Sequence, residues 1–372
     1  MINFTKDLLS VNPAYNDSII QFESTTITNA VKAVIAIDGI QFQTIPINGK
    51  FTFNFKEIIK SLINSNKFED DIIPDLSNDV FIYSDDKIAK IIEVVVSIQS
   101  LTANEQITKR YTFIRSVEQL PNYRNLIDIN TDVKVLLPSK NYVDYNVKFF
   151  EGYPFDFAIF GLEDGDMFYL KNLTTNQQTD VFTATDSDVL RIFLSDGANN
   201  STDTDILIQS STLNKLELYV NGEFKSNINV HKVENDCGVY VKWINSKGSY
   251  SYWKFDRVYK SIITPKTIDD FEGNYDNLQN LNATSYLIGK TANQTIQVDS
   301  NYNGTEAEYL KDLITSPSVW MYQHQTAFNQ QMPFDFIGIK ITDTAFTSVD
   351  TKNSKNKISL TITLPALFTQ TN

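Results

Sequence analysis

The sequence predicts a mainly β protein of tandem antiparallel β-sandwich domains, Ig-like or jelly-roll-like, with a C-terminal β-rich domain that carries one short helix. Two observations favour this class. Phe and Tyr are abundant, at 25 and 18 of 372 residues, and with Ile, Val and Thr they fit the half-buried surface of a strand. Short alternating segments are also separated by Asp-Gly, Asn-Gly and Glu-Gly pairs at hairpin-like spacing.

Residues 1–118 are expected to form an N-terminal β-sandwich with one helix. The segments VKAVIAI (31–37) and QFQTI (41–45) flank the pair Asp38-Gly39, which is a strong two-residue hairpin signal. The segment NFKEIIKSLINS (54–65) has helical periodicity, and Asn54 with Glu57 resembles a capping box. The apolar face of this predicted helix contains Phe55, Ile58, Ile59, Leu62 and Ile63.

Two further domains are expected to follow. Residues 119–260 begin after the polar, proline-containing connection SVEQLPNYRN and contain several short strands, which favours a second sandwich. Residues 261–372 form the C-terminal α+β or β-rich domain, in which Thr305 and Glu308 predict the start of a helix through a capping box. Its expected buried stripe consists of Leu310, Leu313 and Ile314.

The segment CGVYVKWINSKGSYSYWKFD (237–256) predicts a β-hairpin in the middle domain. Alternating residues precede the turn 245–248, whose Gly248 is expected at positive φ, and an aromatic strand follows it. Two of the three tryptophans, Trp243 and Trp253, lie on opposite sides of this turn. We therefore expect them to be buried in the core of the middle sandwich.

The hairpin also carries the pattern Gly-x-Tyr-x-x-Trp-x-Asn-x-x-Gly-x-x-x-Tyr-Trp-x-Phe. Its structural signature consists of Trp243, Asn245, Gly248, Tyr252, Trp253 and Phe255. This pattern resembles the hairpin of tail and neck structural proteins from tailed phages of Bacteroidetes-type hosts, including the crAss-like group. Two weaker similarities to that group are SVNPAYNDSIIQFES (10–24) and YLKDLITSPSVWMY (309–322).

The resemblance implies a non-enzymatic virion component that forms a ring or hub in the tail or neck, around the DNA channel. The implied partners are copies of the same chain in a cyclic ring and other tail or neck proteins. The implied location is the virion, after synthesis in the host cytoplasm. Six or twelve copies are expected, because such tails and necks have six-fold-related symmetry.

The charge and the apolar pattern limit other partners. A formal net charge of −13 and a pI near 4.7 predict repulsion of phosphate backbones, so no specific nucleic-acid binding is expected. No signal peptide is visible, and no apolar run approaches the ~18 residues that a spanning helix needs, so no membrane insertion is expected. The single cysteine, Cys237, excludes an intrachain disulfide and is interpreted as a small core residue, with a reactive thiol as the alternative.

No catalytic residue, cofactor or metal site is predicted. The chain has two histidines, His231 and His324, and no Gly-x-Ser-x-Gly motif. The acidic segments EDGD (163–166), TDSD (185–188) and STDTD (201–205) are interpreted as hairpin turns, and a structural calcium ion between loops is the alternative.

Two alternative functions are left open. The first is a carbohydrate- or receptor-binding β-sandwich adhesin, for which Tyr153, Phe155, Tyr250 and Tyr252 would form an exposed concave row. The second is a hydrolase of envelope polysaccharides, for which a cleft with paired carboxylates would be needed.

Overall fold

The structure is a computed structural model that groups into two compact units. It describes residues 1–27, 29–65, 69–72, 81–118, 133–139, 143–185, 189–195, 207–234, 238–272, 285–322, 336–342, 346 and 356–370. The first unit comprises residues 1–233 together with 245–251, and the second comprises residues 234–244 together with 252–372. The described residues form 25 strands and two short helices, so the predicted mainly β class is confirmed.

The first unit begins with a sandwich of two sheets and one helix. Its elements are β1 (Ile2–Lys6), β2 (Val11–Pro13), β3 (Ile19–Ser24), β4 (Lys32–Ile37), β5 (Ile40–Thr44), β6 (Phe51–Asn54), α1 (Lys56–Ile63), β7 (Ile82–Ser84), β8 (Ala89–Gln99) and β9 (Asn104–Ile114). One sheet has the order β1-β3-β6 and the other β2-β9-β8-β4-β5. The predicted Asp38-Gly39 hairpin joins β4 to β5, and both of its residues have positive φ, 47° and 81°.

Alternating burial builds the core of this first sandwich. Every second residue of β4 is buried, and Ile35 is 0% exposed. Phe22 and Phe51, on paired strands of the other sheet, stack at 5.5 Å between ring centroids. Helix α1 adds Ile59 and Ile63 to the same core.

Helix α1 begins without the predicted capping box. Its N-cap is Phe55, which makes no side-chain cap bond. Asn54 belongs to β6, and its Oδ1 accepts from the backbone N–H groups of Ser18 at 3.2 Å and Lys56 at 3.0 Å. Glu57 instead pairs with Lys60. The Asn54–Glu57 prediction is wrong because the asparagine side chain is used to join a strand end to a loop.

The remaining strands of the first unit form two further sheets. They are β10 (Lys134–Val135), β11 (Asp144–Phe150), β12 (Phe155–Phe160), β13 (Met167–Asn172), β14 (Gln177–Gln178), β15 (Phe182–Thr183), β16 (Val189–Leu194), β17 (Leu213–Val220) and β18 (Glu223–Val233). One sheet has the order β10-β12-β16-β7, and the other has the order β11-β18-β17-β13-β14 with β15 beside β13. Two pairs, β11–β18 and β2–β9, are parallel, whereas the other recorded pairs of this unit are antiparallel.

The predicted domain boundary after residue 118 differs from the observed organisation. Strand β7, which precedes that position, pairs with β16, which follows it. A small core also combines Ile88, Ala89 and Ile114 with Leu136, Ala158, Phe160 and Val189. Residues 1–118 therefore share a sheet and a core with the next segment, within one unit.

The second unit contains one long sheet and one helix. Its elements are β19 (Gly238–Ile244), β20 (Tyr250–Asp256), β21 (Lys260–Glu272), β22 (Ser285–Tyr302), α2 (Gly304–Thr315), β23 (Val319–Tyr322), β24 (Phe336–Ile341) and β25 (Asn356–Thr363). The first two residues of β20 are grouped with the first unit. The sheet order is β20-β19-β23-β24-β25-β22-β21. Because β19 pairs with β23, the predicted boundary after residue 260 also differs from the observed organisation.

Helix α2 begins two residues earlier than predicted. Asn303 is the N-cap, and its Oδ1 accepts from the backbone N–H groups of Thr305 at 2.9 Å and Glu306 at 3.0 Å. Glu306 Oε2 accepts from the Asn303 N–H at 2.9 Å, which completes a capping box. The predicted box of Thr305 and Glu308 is therefore wrong, because the sequence offers two overlapping patterns and the chain uses the first. Leu310 and Leu313 are buried as predicted, whereas Ile314, the third residue of the predicted stripe, is half-buried.

Replacing the observed cap should weaken α2, whereas replacing the predicted one should not. Asn303→Ala removes the acceptor for two backbone N–H groups, and we expect it to lower the free energy of unfolding by about 1 kcal/mol. Thr305→Ala is the matched control, since Ala has the higher helix propensity. Urea denaturation of both variants checks this, and a larger loss for Thr305→Ala would contradict the observed helix start.

Candidate functional site: the aromatic hairpin and the exposed arm

The aromatic hairpin (residues 238–256) has strands that pack in the second unit. Trp243 and Trp253 are 0% and 1% exposed, as predicted. Trp243 packs edge-to-face on Tyr309 at 5.7 Å between centroids, and Trp253 Nε1 donates to Ser300 Oγ at 3.1 Å. Both partners belong to the second unit, so the expectation of a middle-sandwich core around these tryptophans is wrong.

Two other signature residues complete this packing. Tyr252 is 2% exposed and Phe255 is 0% exposed. The backbone N–H of Tyr252 donates to the Tyr309 hydroxyl at 2.9 Å. The aromatic residues of the signature therefore act as core residues of a sheet.

The turn of the hairpin is built around Asn245. Its Oδ1 accepts from the backbone N–H of Lys247 at 2.8 Å, and its Nδ2 donates to the Leu136 carbonyl at 3.2 Å and to Ser251 Oγ at 3.1 Å. The side chain therefore shapes the turn and fastens it to the first unit, to which residues 245–251 belong. An amide offers an acceptor together with two donors, whereas a hydroxyl has a single donor, which explains the asparagine in the pattern.

Gly248 has the positive φ that the sequence predicts, at 94°. A Cβ at this position would lie 2.8 Å from the Arg115 carbonyl oxygen and 3.1 Å from Ile114 Cγ2. Glycine is therefore required twice, by the conformation of the turn and by the close approach of a neighbouring backbone.

A matched pair of glycines separates these two requirements. Gly222 also has positive φ, at 81°, but a Cβ there meets nothing within 4 Å. We expect Gly222→Ala to cost about 1 kcal/mol from backbone strain alone, and Gly248→Ala to cost about 3 kcal/mol because a steric clash is added. Thermal and urea unfolding of both variants measures the difference. Equal losses would contradict the tight packing of the turn against Arg115.

A buried ionic cluster lies in the same unit as the turn. Arg191 is surrounded by three aspartates, and its side chain is 1% exposed while theirs are 0 to 6% exposed. Its Nε and one Nη donate to Asp156 at 2.8 and 3.0 Å, and its two Nη atoms donate to Asp70 at 2.7 and 3.0 Å. One further bond runs to Asp85 at 3.3 Å. All five guanidinium N–H donors are therefore used.

The ring of Tyr250 covers this guanidinium. Arg191 Cζ lies 4.3 Å from the Tyr250 ring centroid, in cation–π geometry. Tyr250 belongs to the hairpin tip, which is part of the first unit. The cluster thus links the tip to β12, to β16 and to the segments on both sides of β7.

The cluster was not identified from the sequence, although a signal exists. VLRIFL and FDFAIF each contain one charged residue in a run of apolar residues, and all residues of both strands are buried. In the observed register Ala158 faces Arg191, and the alternation of side chains places Asp156 on the same face of the sheet as Ala158. A single charge within each of two buried strands indicates an ion pair between them.

Burial and charge act on these groups in opposite directions. Burial raises the pKa of Asp85, and the nearby Arg191 only partly offsets this effect. Burial acts to lower the pKa of Arg191, but Asp156 and Asp70 outweigh it and hold that pKa well above its ordinary value. The fold therefore favours a charged arginine and works against the charged form of Asp85.

This asymmetry predicts a pH effect. Folding raises the pKa of Asp85. The contribution of Asp85 to stability is therefore full when the pH lies below the ordinary pKa of an aspartate, and it is lost as the pH rises through the raised pKa. Asp85→Asn removes that loss, so we expect the stability of the variant relative to the parent protein to increase from acidic to neutral pH. Denaturation at several pH values measures this change. A difference in stability between the two proteins that is the same at every pH does not affect the comparison.

The neighbouring exposed residue supplies the control. Asp86→Asn removes one surface charge beside the cluster and should show no comparable change with pH. A parallel shift of both variants would assign the effect to net charge and contradict the role of burial.

The other predicted chemistry is only partly within the described residues. In the EDGD segment, which joins β12 to β13, Asp166 accepts from the backbone N–H of Glu163 at 2.8 Å and from Asn221 Nδ2 at 2.7 Å. TDSD (185–188) lies mostly outside the described residues, and STDTD (201–205) lies wholly outside them, as do His324 and Cys237. His231 is exposed on β18. Among described residues, no group of three or more His, Cys, Asp or Glu side chains is placed to hold a metal ion.

The aromatic row that would support a glycan-binding adhesin is buried. Tyr153, Phe155, Tyr250 and Tyr252 are 4, 1, 4 and 2% exposed. Side chains with so little exposed area cannot stack on a sugar ring. The exposed row that would have favoured the adhesin alternative is therefore not formed by these four residues.

Several exposed apolar residues lie on a β-arm of the second unit. We define the exposed arm as β21 with the facing residues 285–297 of β22. Every residue from 256 to 271 is exposed, and β21 forms an edge of the sheet. The apolar side chains that it presents are Ile262, Ile263, Ile268 and Phe271, at 36 to 57% exposure, and Leu287 at 38%.

The C-terminal segment lies along the other side of the arm. The backbone N–H of Leu367 donates to the Ala292 carbonyl at 3.1 Å, and the neighbouring Phe368 is fully exposed. The sequence predicted a β-rich domain here, but neither strand β21 nor its exposure was predicted. The signal is KSIITPKTIDDFE, in which apolar residues occur next to each other instead of alternating.

Comparisons with known proteins give no family. No family model matches the chain, and no curated protein matches it. Among solved structures it is similar to the fibronectin(III)-like modules of Clostridium thermocellum CbhA, with 7% identity over 63% of this chain and 95% of the other and a TM-score of 0.19.

Two other solved structures give comparable values. The teleost fish polymeric Ig receptor ectodomain is 6% identical over 64% of this chain and 100% of the other, with a TM-score of 0.22. The titin Ig tandem A164-A165 is 4% identical over 63% and 97%, with a TM-score of 0.22. These scores are too low to establish a common fold or function, so the β class is taken from the strands of this chain.

Neither helix in the described part of the chain is long and apolar enough to cross a membrane.

Proposed function

We propose that this protein is a non-enzymatic structural component of a phage virion that forms a ring or hub in the tail or neck around the DNA channel. The observation that carries the proposal is the hairpin pattern, which resembles that of tail and neck proteins. Each of its six signature residues has a packing or turn-forming role. Residues with these roles stabilise the fold, which is the role expected of a motif in a structural protein.

The exposed arm supports an assembly role. Soluble monomers seldom leave a long, exposed, apolar edge strand, because such an edge pairs with other chains. Contiguous exposed apolar residues are also typical of protein–protein interaction sites. The arm therefore offers a surface for a neighbouring subunit in a particle.

The charge is compatible with a DNA channel. The net charge of −13 makes the protein repel phosphate backbones instead of retaining them. A ring with an acidic lining would let DNA pass without binding it.

Cryo-electron microscopy of a phage particle that contains this chain tests the proposal. We expect density for the chain as a closed ring or hub about the tail axis, in the tail or neck, with six or twelve copies. A hybrid particle with a tagged chain should carry the tag at the same level of the tail. Single peripheral copies, or absence of the chain from the particle, would contradict the proposal.

The hydrolase alternative is tested by a separate activity assay. Incubation of the purified protein with envelope polysaccharides should release no reducing sugar. Reproducible turnover that one Asp or Glu substitution abolishes would contradict a purely structural role.

A further inference from the structure

We propose that Asn48 is a site of spontaneous deamidation in the folded protein, and that Asn221 and Asn303 are protected from the same reaction. These are the asparagines of the three Asn-Gly pairs in the sequence. The inference is argued from exposure, from side-chain hydrogen bonds and from the pairing of the strands around each turn. It goes beyond the proposed function and does not depend on it.

An Asn-Gly pair can react without an enzyme. The backbone nitrogen of the glycine loses its proton and attacks the side-chain amide carbon of the asparagine. A new C–N bond closes a succinimide ring, and the side-chain nitrogen leaves as ammonia. Water then opens the ring at either carbonyl, which gives aspartate or isoaspartate. Glycine favours this attack because it has no Cβ beside the reacting nitrogen.

Asn48 and Gly49 form the tip of a turn between β5 and β6. Both residues are exposed, and their φ values of 50° and 79° are typical of a type I′ turn. In the described part of the chain, neither the Asn48 side chain nor the Gly49 N–H makes a hydrogen bond. The amide carbon and the attacking nitrogen are therefore both accessible to water and unrestrained by other groups.

Asn221 and Gly222 form a turn with nearly the same backbone, but the asparagine side chain is held. The φ values are 51° and 81°. Asn221 Oδ1 accepts from the backbone N–H of Met167 at 3.0 Å, and its Nδ2 donates to Asp166 Oδ1 at 2.7 Å. Both bonds must break before the amide carbon can turn towards the Gly222 nitrogen.

The side chain of Asn303 is held by the start of α2. Its Oδ1 accepts from the backbone N–H groups of Thr305 and Glu306, and Gly304 is the first residue of the helix. Closure of a succinimide ring here would remove the N-cap and distort the first helical turn. The reaction is therefore opposed by the stability that the cap provides.

The strands around the two turns strengthen the difference between Asn48 and Asn221. Ring closure requires the backbone of a turn to rotate, so the pairing beside the turn opposes it. Asn221 joins β17 directly to β18, and the ladder of these strands continues to the residues on both sides of the turn. The turn at Asn48 is closed by one isolated bridge, between Ile47 and Lys50, and β5 and β6 belong to different sheets. Local opening therefore breaks fewer hydrogen bonds at Asn48.

The products would alter the turn in which they form. Aspartate adds a negative charge, and isoaspartate adds a methylene group to the main chain. A two-residue turn with this extra atom no longer holds Ile47 opposite Lys50, so we expect their two backbone hydrogen bonds, at 2.8 and 3.1 Å, to be lost. Amide hydrogen exchange at both residues should then be faster in the aged protein. Phe51, which begins β6, is 0% exposed in the core and confines the change to the turn.

Peptide mapping of the aged full chain tests the proposal. The folded protein is incubated at neutral and mildly alkaline pH and digested, and the asparagine, aspartate and isoaspartate forms of each peptide are separated by chromatography and identified by mass spectrometry. We expect Asn48 to deamidate about tenfold or more faster than Asn221, because opening at Asn221 also breaks two side-chain hydrogen bonds, one of them to a carboxylate. The rate at Asn48 should rise with pH, since the attacking nitrogen must lose its proton.

Two controls assign the difference to the fold. In guanidinium chloride the three pairs should react at similar rates, because glycine follows the asparagine in each of them. Asp166→Ala removes one of the two side-chain bonds of Asn221 and should raise the rate at Asn221 several-fold, with no change at Asn48. Asp166 is partly exposed, and thermal unfolding confirms that the variant is folded.

Three results would overturn the proposal. The first is an Asn48 that stays intact in the folded protein over a time in which it reacts fully in the unfolded chain. The second is an equal rate at all three asparagines of the folded protein. The third is a folded Asp166→Ala variant in which Asn221 reacts no faster than in the parent protein. None of these results bears on the location of the chain in a virion.

Discussion

One buried guanidinium holds together the segments of the first unit. Arg191 uses all five of its N–H donors on Asp70, Asp85 and Asp156, and Tyr250 covers its plane. These residues come from a loop after α1, the segment after β7, β12 and the hairpin tip. Removal of one partner from a buried pair typically costs about 3 to 5 kcal/mol, since an uncompensated charge is left behind. The cluster therefore specifies one arrangement of four segments that are distant in sequence.

The hairpin depends on this arrangement at its tip and on different contacts along its strands. In the turn, Asn245 donates a hydrogen bond to the Leu136 carbonyl. Gly248 allows the turn to pack closely against the Arg115 carbonyl. The strands are fixed in the second unit by Trp243 and Trp253. The residues of the pattern thus meet two sets of packing requirements, one at the turn and one along the strands. This explains why the pattern needs specific residue types.

The exposed arm follows the opposite rule. In the aromatic hairpin, apolar side chains are buried inside the fold, and Trp253 Nε1 donates to Ser300 Oγ there. In β21, apolar residues such as Ile263 remain half exposed. Exposed apolar area of this kind is typical of surfaces that bind another protein.

The sequence by itself determined the β class, the Asp38-Gly39 hairpin, the positive φ of Gly248 and the burial of the two hairpin tryptophans. These features depend on local alternation and on turn chemistry, which act over a few residues. Only the tertiary structure decided the unit boundaries, the cap of α2, the ionic cluster and the exposure of β21. Pairings such as β7 with β16 join residues about a hundred positions apart, and local patterns do not encode which distant strands will meet. Burial of a strand on one or both faces is likewise set by those neighbours, so the same apolar residues can form a core or a surface.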